Sequence, residues 1–387
     1  MIELSEQNVI DYLRAADRAS QGEILVQSLS GGVANVVLKI FDTAAGAKIG
    51  TDMRTPGQIK LGKPDHRANE GACFVLKQPL PKFRTEAEWL VDIDRVLVER
   101  DCLQLLTELL PAGSVPEVLW FDEPNYILAI NAAPTGSILW KKALLTGEAG
   151  GGGIAAANHA GMLLAFLHSS TINDAAMAKR YGDPKLFIQQ RTEPYLLTTA
   201  QQHADVAPII RTLADKLLAA KMCLIHGDFS PKNMFLVPEK EGPAIKDQGP
   251  EAKAPAFALA HLVLLDFEVA FYGHPAFDVA TLVNHLLLKG FYHGKKWRPL
   301  MLLADAFWQT YRHTADRSLV NSAEALGGQL LGALLLARID GKSPVEYITD
   351  PPMKDRIRTA AKAVLADQDT SLDHAMDTVS MHFEEPA

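Results

Sequence analysis

The sequence predicts an α+β chain in two parts, strand-rich up to about residue 131 and mostly helical beyond it. Three observations carry this. β-type runs crowd the first third, at 23–41, 73–77 and 118–130. Long helical periodicities dominate from Ile154 onward. Two short apolar strands in the second part, at 223–225 and 263–265, each run directly into a polar loop carrying aspartate.

Composition bounds the function classes. The 387 residues, 48% apolar and 22% charged, suffice for one two-lobed unit or two domains with a sizeable core. A formal net charge of -8 argues against a polyanion such as nucleic acid held by bulk charge. No run of about 18 apolar residues suggests a membrane span. The opening Met1-Ile-Glu-Leu-Ser-Glu lacks the basic and apolar regions of a signal peptide, so a cytoplasmic protein is expected. Cys73, Cys102 and Cys223 have no metal-ligand spacing and read as buried free thiols.

The elements follow in order. Ser5 to Ala19 has the spacing of an amphipathic helix capped by Ser5. Glu23 to Phe41 reads as two strands around Ser30-Gly31-Gly32-Val33-Ala34-Asn35. Glycines there allow backbone N–H groups to approach a phosphate closely, although a plain hairpin turn is the commoner meaning. Asp42 to Ala72 reads as a long loop. Cys73-Phe-Val-Leu-Lys77 is a short strand ending in a lysine that could meet nucleotide phosphates; Lys39 is its competitor. Val91 to Leu110 is helical and carries Glu99, with Glu86 and Glu88 as rival acidic partners for Lys77.

Strands at 118–121 and 126–130 flank a turn at 122–125, and Ile130 to Pro134 would join the two parts. Five glycines within Gly147 to Gly153 suggest a flexible loop before a helix over Ile154 to Ser170. Gly182 to Ala200 contains Arg191, which either holds an anionic or polyhydroxyl substrate or makes a surface salt bridge to Glu193 or another acid. Val206 to Met222 is helical. Pro238 to Ala260, rich in Pro, Lys, Glu, Gly and Ala, reads as a poorly ordered insertion. Helices over 277–289, 300–313 and 320–338 follow, and a polar tail closes the chain.

Chemistry concentrates in two stretches. Cys223-Leu-Ile-His226-Gly-Asp228-Phe-Ser-Pro-Lys-Asn233-Met-Phe-Leu places an aspartate and an asparagine in one loop between apolar strands. Phosphoryl transfer to a hydroxyl needs a carboxylate to accept or orient the proton and an amide oxygen nearby to hold a metal. Asp228 and Asn233 fit those two tasks. Val263-Leu-Leu-Asp266-Phe-Glu268 is a second apolar strand ending on carboxylates, with Asp278 after eleven intervening residues. The bland alternative is that Asp228 and Asp266 merely open turns.

The two stretches together resemble the aminoglycoside phosphotransferase family, the small-molecule branch of the protein-kinase-like fold. The resemblance rests on His226, Asp228, Asn233, Asp266 and Asp278 in register. It implies a small N-terminal lobe with an antiparallel sheet over 1–131, a larger helical C-terminal lobe over 132–387, and the use of ATP and Mg2+. It further implies Asp228 as the catalytic group, with Asn233, Asp266 and Glu268 as metal ligands. Gly31, Gly32, Asn35, Lys77 and Glu99 would serve the nucleotide, and His226 and Asp278 would brace the loop.

A second likeness is narrower. Lys77-Gln78-Pro-Leu80-Pro81, Trp89, Asp94-Arg95 and Glu99 are similar to the methylthioribose kinases. Those enzymes use an arginine pair near a helix end at the substrate, and Arg338 aligns with one of that pair; complementing the helix dipole is the alternative. Their catalytic loop has no asparagine at the Asn233 position, which instead matches the wider family acting on aminoglycosides, choline, homoserine and sugars. The expected activity is phosphorylation of a small hydroxyl compound, sugar-like in character. An aminoglycoside or amino-alcohol kinase is the alternative, and a non-catalytic nucleotide-binding module is the reading from another class. The likeness also suggests a homodimer.

Overall fold

A computed structural model describes residues 2–29, 34–43, 72–84, 89–147, 152–239 and 259–384. Gly31, Gly32, Glu86 and Glu88 fall outside the described residues, as do most of the long loop expected at 42–72 and of the insertion expected at 238–260. The chain divides into two compact units, one of 1–104 with 116–133 and one of 105–115 with 134–387.

The first unit holds helix α1 (Val9–Ala15) and strands β1 (Ile24–Ser28), β2 (Asn35–Asp42) and β3 (Ala72–Pro79). Helix α2 (Arg95–Leu109), which belongs to this unit as far as Gln104, β4 (Val118–Asp122) and β5 (Ile127–Asn131) follow. The strands form one antiparallel sheet in the order β1-β2-β3-β5-β4. Period-2 alternation sets its faces: Val36, Leu38 and Ile40 on β2 and Phe74 and Leu76 on β3 point into a core shared with Val9 and Leu13 of α1. Lys77 follows Leu76 and therefore leaves on the opposite face, paired in register with Val37 and Leu128. Lys39 sits on β2.

Helix α1 is shorter than the pattern suggested. Residues 6–8 make a turn in which the backbone N–H of Ser5 donates to Asn8 Oδ1 at 2.8 Å, and the N-cap position of the helix falls on Asn8 and not on Ser5. Of the expected buried thiols, Cys102 and Cys223 are buried and Cys73 is only half-buried; all three are free.

The second unit is mostly helical. It opens with the short strand β6 (Ile138–Leu139), α3 (Trp140–Thr146), α4 (Gly153–Ser170) and α5 (Ala175–Tyr181). Next comes a continuous helical run of α6 (Lys185–Phe187), a π-helical stretch over Ile188–Leu197 and α7 (Thr198–Gln202), then α8 (Ala207–Ala219). Strands β7 (Cys223–Ile225), β8 (Met234–Pro238), β9 (Leu259–Leu264) and β10 (Phe271–Gly273) make two small antiparallel sheets, β10-β7 and β6-β8-β9. Helices α9 (Ala276–His293), α10 (Arg298–Thr314), α11 (Arg317–Asp340), α12 (Pro351–Ala366) and α13 (Leu372–Ser380) complete it.

Helices α9 and α11 form the centre, buried along nearly their whole length and packed on each other. Helix α4 lies against α10, close enough at Gly161 that an added Cβ would sit 2.7 Å from the Phe307 carbonyl oxygen. Helix α11 is long and apolar enough to cross a membrane, yet 72% of its apolar window is buried inside the unit, as suits a core helix. The α+β class, with an antiparallel sheet in one unit and helices dominating the other, is the one the sequence predicts.

Candidate active site

In the second unit the centre is the loop between β7 and β8. Strand β7 pairs with β10, and β8 pairs with β9 through Met234–Leu264 and Phe235–Val263. The loop is therefore fixed at both ends by apolar strands. Leu265, next to Asp266, donates its N–H to the Asn233 carbonyl at 2.9 Å, which joins the two polar stretches.

Asp278 clamps the loop from α9. Fully buried, it accepts from the backbone N–H of His226 at 2.6 Å and of Gly227 at 2.9 Å, one with each carboxylate oxygen. His168 of α4 lies 3.3 Å away. Gly227 sits at φ +76, and a Cβ there would come 2.4 Å from the Val269 carbonyl oxygen, so glycine is required on two counts. His226 donates from Nε2 to the Leu265 carbonyl at 2.9 Å, while its Nδ1 accepts from the Asp228 N–H at 3.2 Å. That pairing fits a neutral ring, and burial lowers the His226 pKa despite the surrounding carboxylates. The ring also packs on Phe267, with centroids 4.3 Å apart.

Asp228 is buried at 4% exposure yet ionised. Burial pushes its carboxyl up, but the charge of Arg191 and then that of Lys232 outweigh burial and hold it well below the usual carboxylate range. Both cations meet Oδ2, Arg191 at 2.9 Å and Lys232 at 2.7 Å. Among the described residues, Oδ1 carries only a long 3.4 Å contact from the Ser230 hydroxyl. One oxygen is thus anchored by two cations and the other is only weakly engaged. A carboxylate held so far toward its charged form is a weak base, suited to orienting a proton donor and taking the proton late.

Arg191 extends from the π-helical stretch and is buried. Besides Asp228 it donates to the carbonyls of Gly227 at 2.6 Å and Gln190 at 2.7 Å. The surface salt bridge considered for it is corrected accordingly: its acid is the buried Asp228, and Glu193 is exposed. Lys232 went unassigned in the sequence. The signal was present as Asp228-x-x-x-Lys232, an i,i+4 ion-pair spacing, which the 3-10 turn at Pro231–Asn233 closes.

Asn233 is buried, and its Nδ2 donates to the Asp228 carbonyl at 3.0 Å, so the amide nitrogen is committed to the loop and Oδ1 is the atom that could serve as a ligand. Asp266 adopts φ +69, a conformation costly for a residue other than glycine and concentrated at functional sites. Its carboxylate oxygen lies within 4.8 Å of one from Glu268, which is buried. Arg338 is buried near the end of α11 and donates from Nη1 to the Tyr195 hydroxyl at 3.2 Å and to the carbonyl and hydroxyl of Ser343.

The first unit has its own buried charge pair. Lys77 Nζ lies 2.5 Å from Glu99 Oε1, at 8% and 2% exposure. Asn35 opens β2, with its Oδ1 3.4 Å from the buried Arg95 guanidinium. Arg95 also donates to the carbonyls of Ala34 and Leu80.

Comparison with known proteins matches residues 67–245 to the phosphotransferase enzyme family, APH. Methylthioribose kinase of Yersinia pseudotuberculosis is 22% identical over 309 residues, 73% of this chain and 63% of that protein. Methylthioribose kinase of Pectobacterium atrosepticum is 23% identical, over 73% of this chain and 64% of that protein. The matched region thus spans under two thirds of the length of these relatives. A solved structure of a choline/ethanolamine kinase family protein from Mesorhizobium loti aligns at TM-score 0.41 and 15% identity, covering 96% of this chain and 99% of that one.

Proposed function

From the premise that residues 67–245 match the phosphotransferase enzyme family, we propose that this chain moves the γ-phosphoryl group of ATP to a hydroxyl of a small, sugar-like molecule. The observation that carries the reading is Asp228: a buried carboxylate with one oxygen anchored by two cations and the other engaged only by a long 3.4 Å contact from Ser230. In the transfer, a bond forms between the acceptor oxygen and the γ-phosphorus while the bond from that phosphorus to the β–γ bridging oxygen breaks. Asp228 Oδ1 orients the acceptor hydroxyl and takes its proton as the new bond forms. Arg191 is a positioning residue that fixes Asp228. Lys232, with a side chain 44% exposed, adds positive charge where phosphoryl oxygens gather charge.

Asn233, Asp266 and Glu268 offer hard oxygen donors, the set that suits magnesium. Bound there, a divalent ion would neutralise phosphate charge. In the first unit the Lys77–Glu99 pair matches the lysine and helix glutamate that hold nucleotide phosphates in kinases. His226 and Asp278 brace the loop. A module that only binds nucleotide is disfavoured because Asp228, Asp266 and Lys77 are all present.

The test is ADP release from magnesium-ATP with methylthioribose, other pentoses, aminoglycosides, choline and homoserine. Release that depends on one acceptor supports the proposal. ATP binding without release from any small hydroxyl compound counts against it.

A further inference from the structure

Three buried polar groups of the second unit lack the partners that burial demands. Lys289 of α9 is 1% exposed, and its Nζ donates to the His285 carbonyl of its own helix at 3.1 Å. Arg338 is 9% exposed and its Nε is buried without a hydrogen-bond partner. The Tyr347 hydroxyl is likewise buried without one, and Lys289 Nζ lies 5.3 Å from the Tyr347 ring. Among the described residues neither Lys289 nor Arg338 is in an ion pair, and the neighbouring carboxylate, Glu346, is taken by Lys141 at 2.5 Å.

Unpaired buried cations are costly, and a chain with no use for them is better served by apolar side chains. Here Arg338 stands one side chain away from the pair that holds the reacting carboxylate. The Arg338 guanidinium lies 5.4 Å from the Tyr195 ring and the Arg191 guanidinium 5.5 Å from the same ring, and Arg191 holds Asp228. Tyr195 therefore separates Arg338 from Arg191, the cation that anchors Asp228, and Lys289 lies against Tyr347.

We propose that the acceptor carries an anionic group, a carboxylate or a phosphate ester, received by Arg338, Lys289 and the Tyr347 hydroxyl while Asp228 orients its hydroxyl. This rests on the phosphotransferase reading and narrows it to hydroxy acids and sugar phosphates. Choline, a cation, would meet like charge here. Bound anion supplies the countercharge for Lys289 and accepts from Arg338 Nε and the Tyr347 hydroxyl, so each unpartnered group gains its partner.

The test uses the whole chain without nucleotide, at ionic strength matched with sodium chloride. Inorganic phosphate and acetate, as the two anion types, should raise Tm saturably, and choline should not. Whichever anion binds should bind at least 10-fold more weakly to Arg338→Gln and to Lys289→Met. Tyr347→Phe, which removes one hydroxyl and keeps the ring, should lose several-fold. Lys77→Met in the first unit should bind it unchanged. Absence of saturable binding by both anions overturns the proposal. So does unchanged affinity in Arg338→Gln and Tyr347→Phe, or loss in Lys77→Met, which assigns the anion to the nucleotide lysine.

Turnover then separates this inference from the reading beneath it, using glycerate against glycerol and ribose 5-phosphate against ribose. The anionic member of a pair should release ADP at least 100-fold faster in kcat/KM. Equal rates for both members leave a kinase without an anionic acceptor. Anion binding with no ADP release from any acceptor leaves the anion site and removes the kinase.

Discussion

Replacing Arg191 by glutamine tests the electrostatic frame of the site. The change leaves Asp228 buried with Lys232 alone, and that lysine is 44% exposed, so solvent screens part of its attraction. Breaking a buried pair by removing one partner costs about 3–5 kcal/mol. The Gly227 carbonyl also loses its 2.6 Å bond, worth about 1 kcal/mol more. Retained Lys232 and the remaining amide of glutamine offset part of this, so about 3 kcal/mol is expected. The assay is urea unfolding followed by tryptophan fluorescence, read as a midpoint shift at unchanged slope.

Acid unfolding gives the sign. The folded Asp228 pKa lies below its unfolded value of about 3.9. Its stabilisation is therefore complete above that value and lost as pH falls through the folded one. Arg191→Gln raises the folded pKa, so the variant should unfold at a higher pH on the acid side. A loss under about 1 kcal/mol with an unmoved acid midpoint would refute the claim that Arg191 anchors the carboxylate.

Other outcomes follow from the same structure. Gly227→Ala should cost at least about 2 kcal/mol, from a left-handed backbone plus contact with the Val269 carbonyl, and lower kcat with little change in ATP affinity; urea unfolding and ADP release check it. Lys77→Met should raise the ATP KM on the order of 10-fold or more while the acceptor KM holds, read from ADP-release kinetics. Lys289 is lowered to about 7 by burial and then by Lys141 and Arg338, with Glu346 opposing. Between pH 7 and its unfolded value of about 10.4 the unfolded chain holds a proton that the folded chain lacks, so stability contributed at this site rises with pH. Burial holds its neighbour His285 uncharged through that window. Lys289→Met should therefore be more stable than the parent by a few degrees in Tm at pH 7, a margin that shrinks toward pH 10 in scanning calorimetry.

The sequence was most legible where one period governs a segment. Strand β2 alternates buried and less buried positions, so Val36, Leu38 and Ile40 mark one face; β3 alternates only over 73–76 and is buried on both faces from Leu76 on, with Lys77 opposite Leu76 by the strand period. The loop residues His226, Asp228 and Asn233 could be placed together because strands fix both loop ends, and Asp278 of α9 joins them by accepting from the backbone N–H groups of His226 and Gly227. Helix α1 begins at Val9 and not at Ser5: the polar residues 6–8 form a turn, although the Val9 N–H already donates to the Ser5 carbonyl at 3.1 Å.

The π-helical stretch was not legible. Pro194 lacks an N–H and argues against a helix, but the wider turn accommodates it. That stretch carries Arg191 and Tyr195, so the partner of Asp228 and the ring beside Arg338 were hidden with it. Long-range pairing of this kind, Arg191 with Asp228 and Arg338 with Tyr195, leaves no local pattern to read.

The most direct measurement compares ATP affinity and turnover in the parent and in Asp228→Asn, with the best acceptor found. The substitution removes the carboxylate proposed to orient the hydroxyl and leaves the Lys77–Glu99 pair untouched. The account predicts a kcat at least about 10^3-fold lower with the ATP Kd within about 3-fold of the parent. Turnover that survives in Asp228→Asn, or ATP binding that vanishes while that variant stays folded, would contradict it.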